Sequence, residues 1–302
     1  MMQSMRDAFG EAMLELGRIN PKVLTLTADL EPSVRLNGFK EAFPDRYFNV
    51  GVAEANMIGV AAGLALEGFI PFCASFAVFV PGRCFDQIRV AVCQNKANVK
   101  LVGSHAGLSN PGDGATAQSI EDLALMRVLP EMSVVCPADA RETKKAVLAI
   151  AKSSGPVYLR LSRAETEIVT KEEDHFEIGK ATVLRKGRKV TIIACGTMVE
   201  AALRAGEEVD GEVINLSTIK PLDKETIFQS VKKTGKVITV EEHSIYGGMG
   251  SAVAEFLSQE YPAPIKIMGI ADVFGQSARS YEDLLEKYGL TAENIIKNFQ
   301  LF

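Results

Sequence analysis

Short apolar runs alternate with helix-length patterns along this whole chain, and that alternation constrains the fold more than any other feature. Lys22 to Asp29, Phe69 to Ala74, Val99 to Ser104, Ser133 to Cys136 and Pro156 to Leu161 read as strands. Among them, Arg6 to Gly17, the segment from Glu54 to Gly63, Ser119 to Leu129 and Arg141 to Ala151 read as helices, with a loop and helix over Phe76 to Gln94. Ser162 to Arg188 is polar and charged and reads as a linker, with a short strand near Ile178. The alternation then resumes. Strands are expected at Lys189–Ala194, Glu212–Leu216, Lys236–Val240 and Ile265–Ile270, and helices at Val199–Glu208, Thr226–Val231, Gly250–Ser258, Tyr281–Lys287 and Ala292–Phe299. Strands joined through helices pair in parallel, with helices covering both faces. The expected fold class is therefore α/β in two domains, each a mainly parallel sheet flanked by helices: 1–165, a linker over 166–188, and 189–302. Ligands of such sheets bind outside the carboxyl ends of the strands. The loops after Asp29, Ala74, Ser104 and Leu161 are the places where a site is expected.

Length and charge narrow the function. The 302 residues suffice for two domains, and the net charge of −5 gives no support for a nucleic-acid partner. The longest uncharged run, Gly68 to Gly82, is broken by Pro71 and Pro81 and falls short of the about twenty residues of a membrane helix. No apolar signal core opens the chain, so a cytoplasmic location is expected. Cys73, Cys84, Cys93, Cys136 and Cys195 form no Cys-x-x-Cys pair and read as reduced core residues. His105, His175 and His243 are too scattered for a metal cluster, so no metal site is expected from this chain alone.

One carboxylate stands out. Asn49 to Gly63, NVGVAEANMIGVAAG, places Glu54 in a segment otherwise apolar and small. Met57, Val60, Ala61 and Leu64 fit a packed helix face, while Gly59 and Gly63 allow close approach by a neighbour. A glutamate there either stabilises a helix N-terminus or, if buried, needs a partner. Phe76 and Phe79 could be core residues, Arg6 a solvated end residue, Ser33 a helix cap after Pro32, Arg163 a linker edge and His105 a structural histidine.

A resemblance shifts these readings. NVGVAEANMIGVAAGLALEGFIPFCASFAVF, FDQIR, GSHAGLSNPGDGATAQSIEDLALMRVLP and YLRLSR resemble the pyrimidine-binding domain of transketolases; STIKPLD and VEEHSIYGGMGSAVAEFL resemble their C-terminal domain. The family moves a two-carbon ketol unit between sugar phosphates with thiamine diphosphate, the chemistry being the cofactor's. The resemblance implies that Glu54 contacts the aminopyrimidine ring and promotes its activation as the catalytic residue. It implies that Phe76 and Phe79 line that ring, and that Asp29 lies near the cofactor. It implies that Arg6, Ser33 and Arg163 bind the substrate phosphate, and that His105 and Asp113 read sugar hydroxyls. Two departures stand in the pattern. Val80-Pro81-Gly82-Arg83 carries an extra residue and lacks a third aromatic, and Ala117 replaces a hydrogen-bonding group.

Gly112-Asp113-Gly114 begins like the family's diphosphate motif, in which Asp and Asn oxygens hold magnesium. The required asparagine is missing downstream, where the chain reads PADARETK. Asp113 thus belongs to the sugar loop, and the diphosphate-binding domain is absent from this sequence. The resemblance implies a split transketolase. Its partner is an N-terminal subunit that carries the diphosphate-binding domain and holds Mg2+ or another divalent ion. The assembly implied is a dimer of heterodimers acting in pentose phosphate exchange. Alternatives are the beta subunit of a 2-oxo-acid or acetoin dehydrogenase, a deoxyxylulose-phosphate synthase, a split transketolase for an unusual branched sugar phosphate, and a non-catalytic assembly subunit that kept the fold.

Overall fold

The computed structural model describes residues 2–302; Met1, the expected start of the first domain, lies outside them. A short strand β1 (Met2–Ser4) leads into helix α1 (Met5–Ile19), which starts where the Ser4 hydroxyl accepts from the Asp7 amide. Phe9, Ala12, Met13 and Leu16 form its buried stripe. Strand β2 (Val23–Thr27) is buried at every position. It is followed by α2 (Asn37–Ala42), β3 (Tyr47–Asn49), α3 (Glu54–Leu66) and β4 (Ile70–Phe76). The helix expected within Phe76 to Gln94 is broken into α4 (Val80–Arg83), α5 (Phe85–Gln87) and a wide π-type turn over Ile88–Cys93. Pro81 sits in the first turn of α4, where proline is tolerated, and the break falls after Arg83 at Cys84, whose φ of −110° leaves the helical range. Then come β5 (Lys100–Ser104), α6 (Asp122–Arg127), β6 (Ser133–Val135), α7 (Ala140–Lys152), β7 (Val157–Arg160) and β8 (Glu165–Glu167).

The second half runs β9 (Thr182–Arg185), β10 (Val190–Ala194), α8 (Met198–Val209), β11 (Gly211–Asn215), β12 (Thr218–Lys220), α9 (Lys224–Thr234), β13 (Val237–Ser244), α10 (Met249–Glu260), β14 (Ile265–Ile270), α11 (Tyr281–Lys287) and α12 (Ala292–Gln300). The strand expected near Ile178 forms instead at Thr182–Arg185, where it pairs antiparallel with β11.

The first sheet has the order β12-β6-β7-β5-β4-β2-β3, parallel except for β12. From β2 the chain moves to one side to make β3 and to the other to make β4. The strand order therefore reverses there, and a switch point of this kind is where ligands bind, outside the carboxyl ends of β2 and β4. The second sheet has the order β14-β13-β10-β11-β9. Helices α1 and α7 bury one face of the first sheet, with Phe9, Met13 and Val147 against Phe72, Val102 and Leu159. Helix α3 covers the other through Met57, Ile58, Ala61 and Ala62. Val60, expected on the packed face, is exposed, and a Cβ at Gly59 or Gly63 would meet nothing within 4 Å. The glycine face of α3 thus has no neighbour within the described residues.

Candidate functional site

Strands β7, β5, β4 and β2 lie side by side, so the loops leaving their carboxyl ends share one rim. Arg163 follows β7, His105 follows β5, Phe76 ends β4, and Asp29 and Ser33 follow β2. Edge strand β3 feeds the turn into Glu54, the first residue of α3. The topology therefore collects residues that the sequence scatters over about half the chain.

Glu54 is 3% exposed, and its Oε2 accepts from Nη1 of Arg83 at 2.9 Å. The same guanidinium lies over the Phe79 ring, 4.6 Å from its centroid. Phe79 is nearly parallel to Phe76, at 5.7 Å and 9°. Phe76 in turn stacks on the His105 imidazole at 3.8 Å. A buried carboxylate, a planar cation, two phenyl faces and an imidazole thus form one continuous stack. Arg83 went unrecognised as a site residue in the sequence, although it closes the segment that departs from the family pattern.

His105 begins the cationic end. It is 3% exposed, and its Nδ1 lies 2.8 Å from the Ser104 hydroxyl. Burial, and then the Arg6, Arg163 and Arg35 charges, push its pKa down to about 3, so the ring is neutral at pH 7. Burial and the charges of Arg35 and Arg163 likewise lower the Arg6 pKa. Three guanidiniums at close range repel one another, an arrangement an anion would relieve. Arg6 donates from Nη1 to the Ser33 carbonyl at 3.0 Å, while its buried Nε finds no acceptor. Arg35, also unforeseen, is held by Asp7 at 2.5 Å. Ser33 does not cap a helix, since α2 starts after Leu36 without a side-chain cap.

Arg163 is bound into the loop after β5. Its amide donates to the Ser109 hydroxyl and its Nη1 to Asn110 Oδ1, both at 3.0 Å, and Asn110 donates to Asp113 at 2.7 Å. Asp113 is exposed on this loop. Ala117 is buried. Gln118 beside it is turned away into the domain interface, donating to the carbonyls of Asn110 and Gln276. It therefore does not replace the polar group missing at Ala117. Asp29, with a φ of 62°, stands at the rim in the loop after β2 and exchanges hydrogen bonds with Asn49, the last residue of β3. All five cysteines are free and buried. Among the described residues no group of three or more His, Cys, Asp and Glu could hold a metal ion.

The stack fits a flat nitrogen heterocycle. Its carboxylate already holds a planar N–H donor, and that donor already lies on an aromatic face. The magnesium-diphosphate group does not fit, because Asp113 stands without a companion set of ligands among the described residues.

The description "Transketolase, pyrimidine binding domain" matches residues 1–168, and "Transketolase, C-terminal domain" matches residues 179–295. A 6-deoxy-6-sulfo-D-fructose transketolase subunit of Clostridium sp. strain MSTE9 is 42% identical, covering 97% of this chain and 92% of its own. An apulose-4-phosphate transketolase subunit of Phocaeicola vulgatus is 37% identical, covering 98% of this chain and 96% of its own. A solved structure described as a split-gene transketolase, an inactive beta4 tetramer, superposes with a TM-score of 0.89 at 47% identity, covering 98% of this chain and 97% of that one.

Proposed function

This chain belongs to the transketolase family, of which it carries the pyrimidine-binding and C-terminal domains, and from that premise we propose that it is one subunit of a split, thiamine-diphosphate-dependent transketolase. The observation that carries the reading is the buried Glu54 carboxylate holding a planar N–H group against Phe79. Glu54 would exchange a proton with the ring nitrogen that replaces the Arg83 contact, and Phe79 and Phe76 would hold the ring flat. When bound, thiamine diphosphate supplies the nucleophilic carbon that takes up the two-carbon unit. Arg6, Arg163 and Ser33 would hold the anionic end of a ketose phosphate donor or an aldose phosphate acceptor, with His105 and Asp113 on its hydroxyls. Asp29 would support the cofactor edge.

The magnesium and diphosphate would come from an N-terminal partner subunit, in a dimer of heterodimers. The uncovered face of α3, with Gly59 and Gly63, suits such a partner. No helix among the described residues is long and apolar enough to cross a membrane, and we place the complex in the cytoplasm. Ala117 favours a second reading of the substrate. With no polar side chain there, an unusual sugar bearing an anion, such as a deoxysulfo or branched one, fits as well as a pentose phosphate.

A two-chain assay tests this. The chain is mixed with a diphosphate-domain partner, thiamine diphosphate and Mg2+, and ketol transfer is followed from xylulose 5-phosphate, 6-deoxy-6-sulfofructose and a branched ketose phosphate. Transfer is expected only in the mixture, and Glu54→Gln should lower turnover by about 10²–10⁴-fold with the complex intact. Full turnover by Glu54→Gln, or activity of this chain alone, would defeat the reading.

A further inference from the structure

Every proposed site residue lies in the first domain, yet the loop that carries two of them is held from the second. After β5 the chain enters the left-handed region at His105, with a φ of 57°, and again at Gly107, with a φ of 64°. Such a conformation is uncommon for any residue but glycine, and persists where surrounding structure fixes it. The Ala106 and Gly107 amides donate to the Leu161 and Ser119 carbonyls of the first domain, and Glu242, near the end of β13, fixes the next turn of the loop from the second. Its Oε1 accepts from the Leu108 amide, and a Cβ at Gly107 would overlap its carboxylate. Its Oε2 accepts from the Tyr281 hydroxyl at 2.5 Å and from the Thr197 hydroxyl at 2.7 Å. The Glu242 carbonyl accepts from Arg160 at 2.9 Å, and Arg160 is paired in the interior with Asp122 at 2.8 Å. The carboxylate is fully enclosed, with both oxygens satisfied.

From Leu108 the linkage continues to the site. Ser109 and Asn110, the next two residues, bind Arg163, and Asn110 binds Asp113. The far side of the loop is braced by the same domain, where the Ala278 amide donates to the Pro111 carbonyl.

We propose that Glu242 is a positioning residue, through which the C-terminal domain sets the loop 105–116 and hence the placing of His105, Asp113 and Arg163 on the substrate. The role in substrate placement rests on the transketolase reading; the mechanical link to the loop does not. Glu242→Gln keeps the shape and turns one of the two acceptor oxygens into an N–H donor. Tyr281→Phe removes one hydroxyl from the carboxylate and leaves Glu242 in place.

Two measurements test the proposal. Amide hydrogen exchange on the full chain alone should show the 105–116 peptide exchanging at least about tenfold faster in Glu242→Gln, with β5 and β10 unchanged, because local openings expose local amides. In the two-chain complex, KM for the phosphorylated or sulfonated ketose should rise about tenfold, with kcat and the dissociation constant of thiamine diphosphate within about twofold of the parent. Tyr281→Phe should move both readouts the same way and by less. Unchanged loop exchange, or faster exchange spread equally over β5 and β10, would overturn the link. A faster loop with unchanged KM would overturn the role in substrate placement. No transfer by the unaltered complex would count against the functional reading alone, since the exchange experiment needs no substrate.

Discussion

On the proposed reading, the contact between Glu54 and Arg83 is one that the cofactor ring would replace. The carboxylate is buried, while the arginine side chain is 51% exposed and free to leave. Removing Arg83 strips the partner from a carboxylate with little access to water. Arg83→Ala should therefore destabilise the free chain by about 1–2 kcal/mol, less than the 3–5 lost from a fully buried pair. In the two-chain complex the same change should tighten thiamine diphosphate about tenfold, because the ring no longer displaces the guanidinium. Thermal melts and titration calorimetry read the two effects; weaker cofactor binding would mean that Arg83 is a cofactor ligand. His105 gives a pH prediction. Its pKa is about 3 in the folded chain, against an ordinary value near 6.5. Between these values the unfolded chain binds a proton that the folded chain excludes, so stability falls as pH drops through this window. Relative to His105→Asn, whose side chain tolerates the left-handed backbone, the parent should lose about 2 kcal/mol between pH 7 and pH 5 and little above pH 7. Denaturant unfolding at each pH measures the difference; parallel profiles would remove His105 as its source.

At the scale of elements, helix α3 carries a test of the proposed partner subunit. Gly59 and Gly63 face open space, and an interior glycine weakens a helix by up to about 1 kcal/mol relative to a good helix former. Gly63→Leu should therefore leave the free chain as stable or up to about 1 kcal/mol more so, yet block assembly with the partner subunit. Melting and light scattering of the mixture check both halves; assembly at parent affinity would show that this face is not the contact. The elements most legible in the sequence were those with a local pattern. The strands β2, β4, β5, β7 and β10 are apolar runs, and α1 and α7 carry clear stripes, so periodicity located them. Strands β1, β8 and β12 have only three residues each, and their pairing partners lie far along the chain, so no local pattern marks them. Strand β9 is mostly half-buried and lacks the alternation that would have separated it from the turn at Ile178. The candidate site was legible where a motif fixes a residue's place, as for Glu54, Phe79 and His105, which the structure brings into one stack. Arg83 was not, because its partner is 29 residues away and spacing says nothing about where a long side chain turns. Glu242 was not, because its task exists only when two domains pack.

That packing sets how the whole molecule should unfold. One apolar cluster contains Leu26, Met57 and Leu101 of the first domain together with Ile193, Leu216 and Met249 of the second. Strand β12, from the second half, completes the edge of the first sheet beside β6. Asn215 on β11 donates to both oxygens of buried Glu142 on α7, at 2.9 and 3.0 Å, and Arg160 reaches the Glu242 carbonyl. Separating the domains would uncover this core and leave the Glu142 and Arg160 groups without these partners. Neither sheet would then keep its native burial, so the intermediate with one domain folded lies high in free energy. A chain of two sheets often melts in two steps, but this one should melt in one, with a calorimetric enthalpy close to the van't Hoff value. Glu142→Ala should shift that single transition to lower temperature rather than split it. A resolved second transition in the parent would show that the shared core does not couple the domains, and would also remove the rigid frame through which Glu242 acts on the loop.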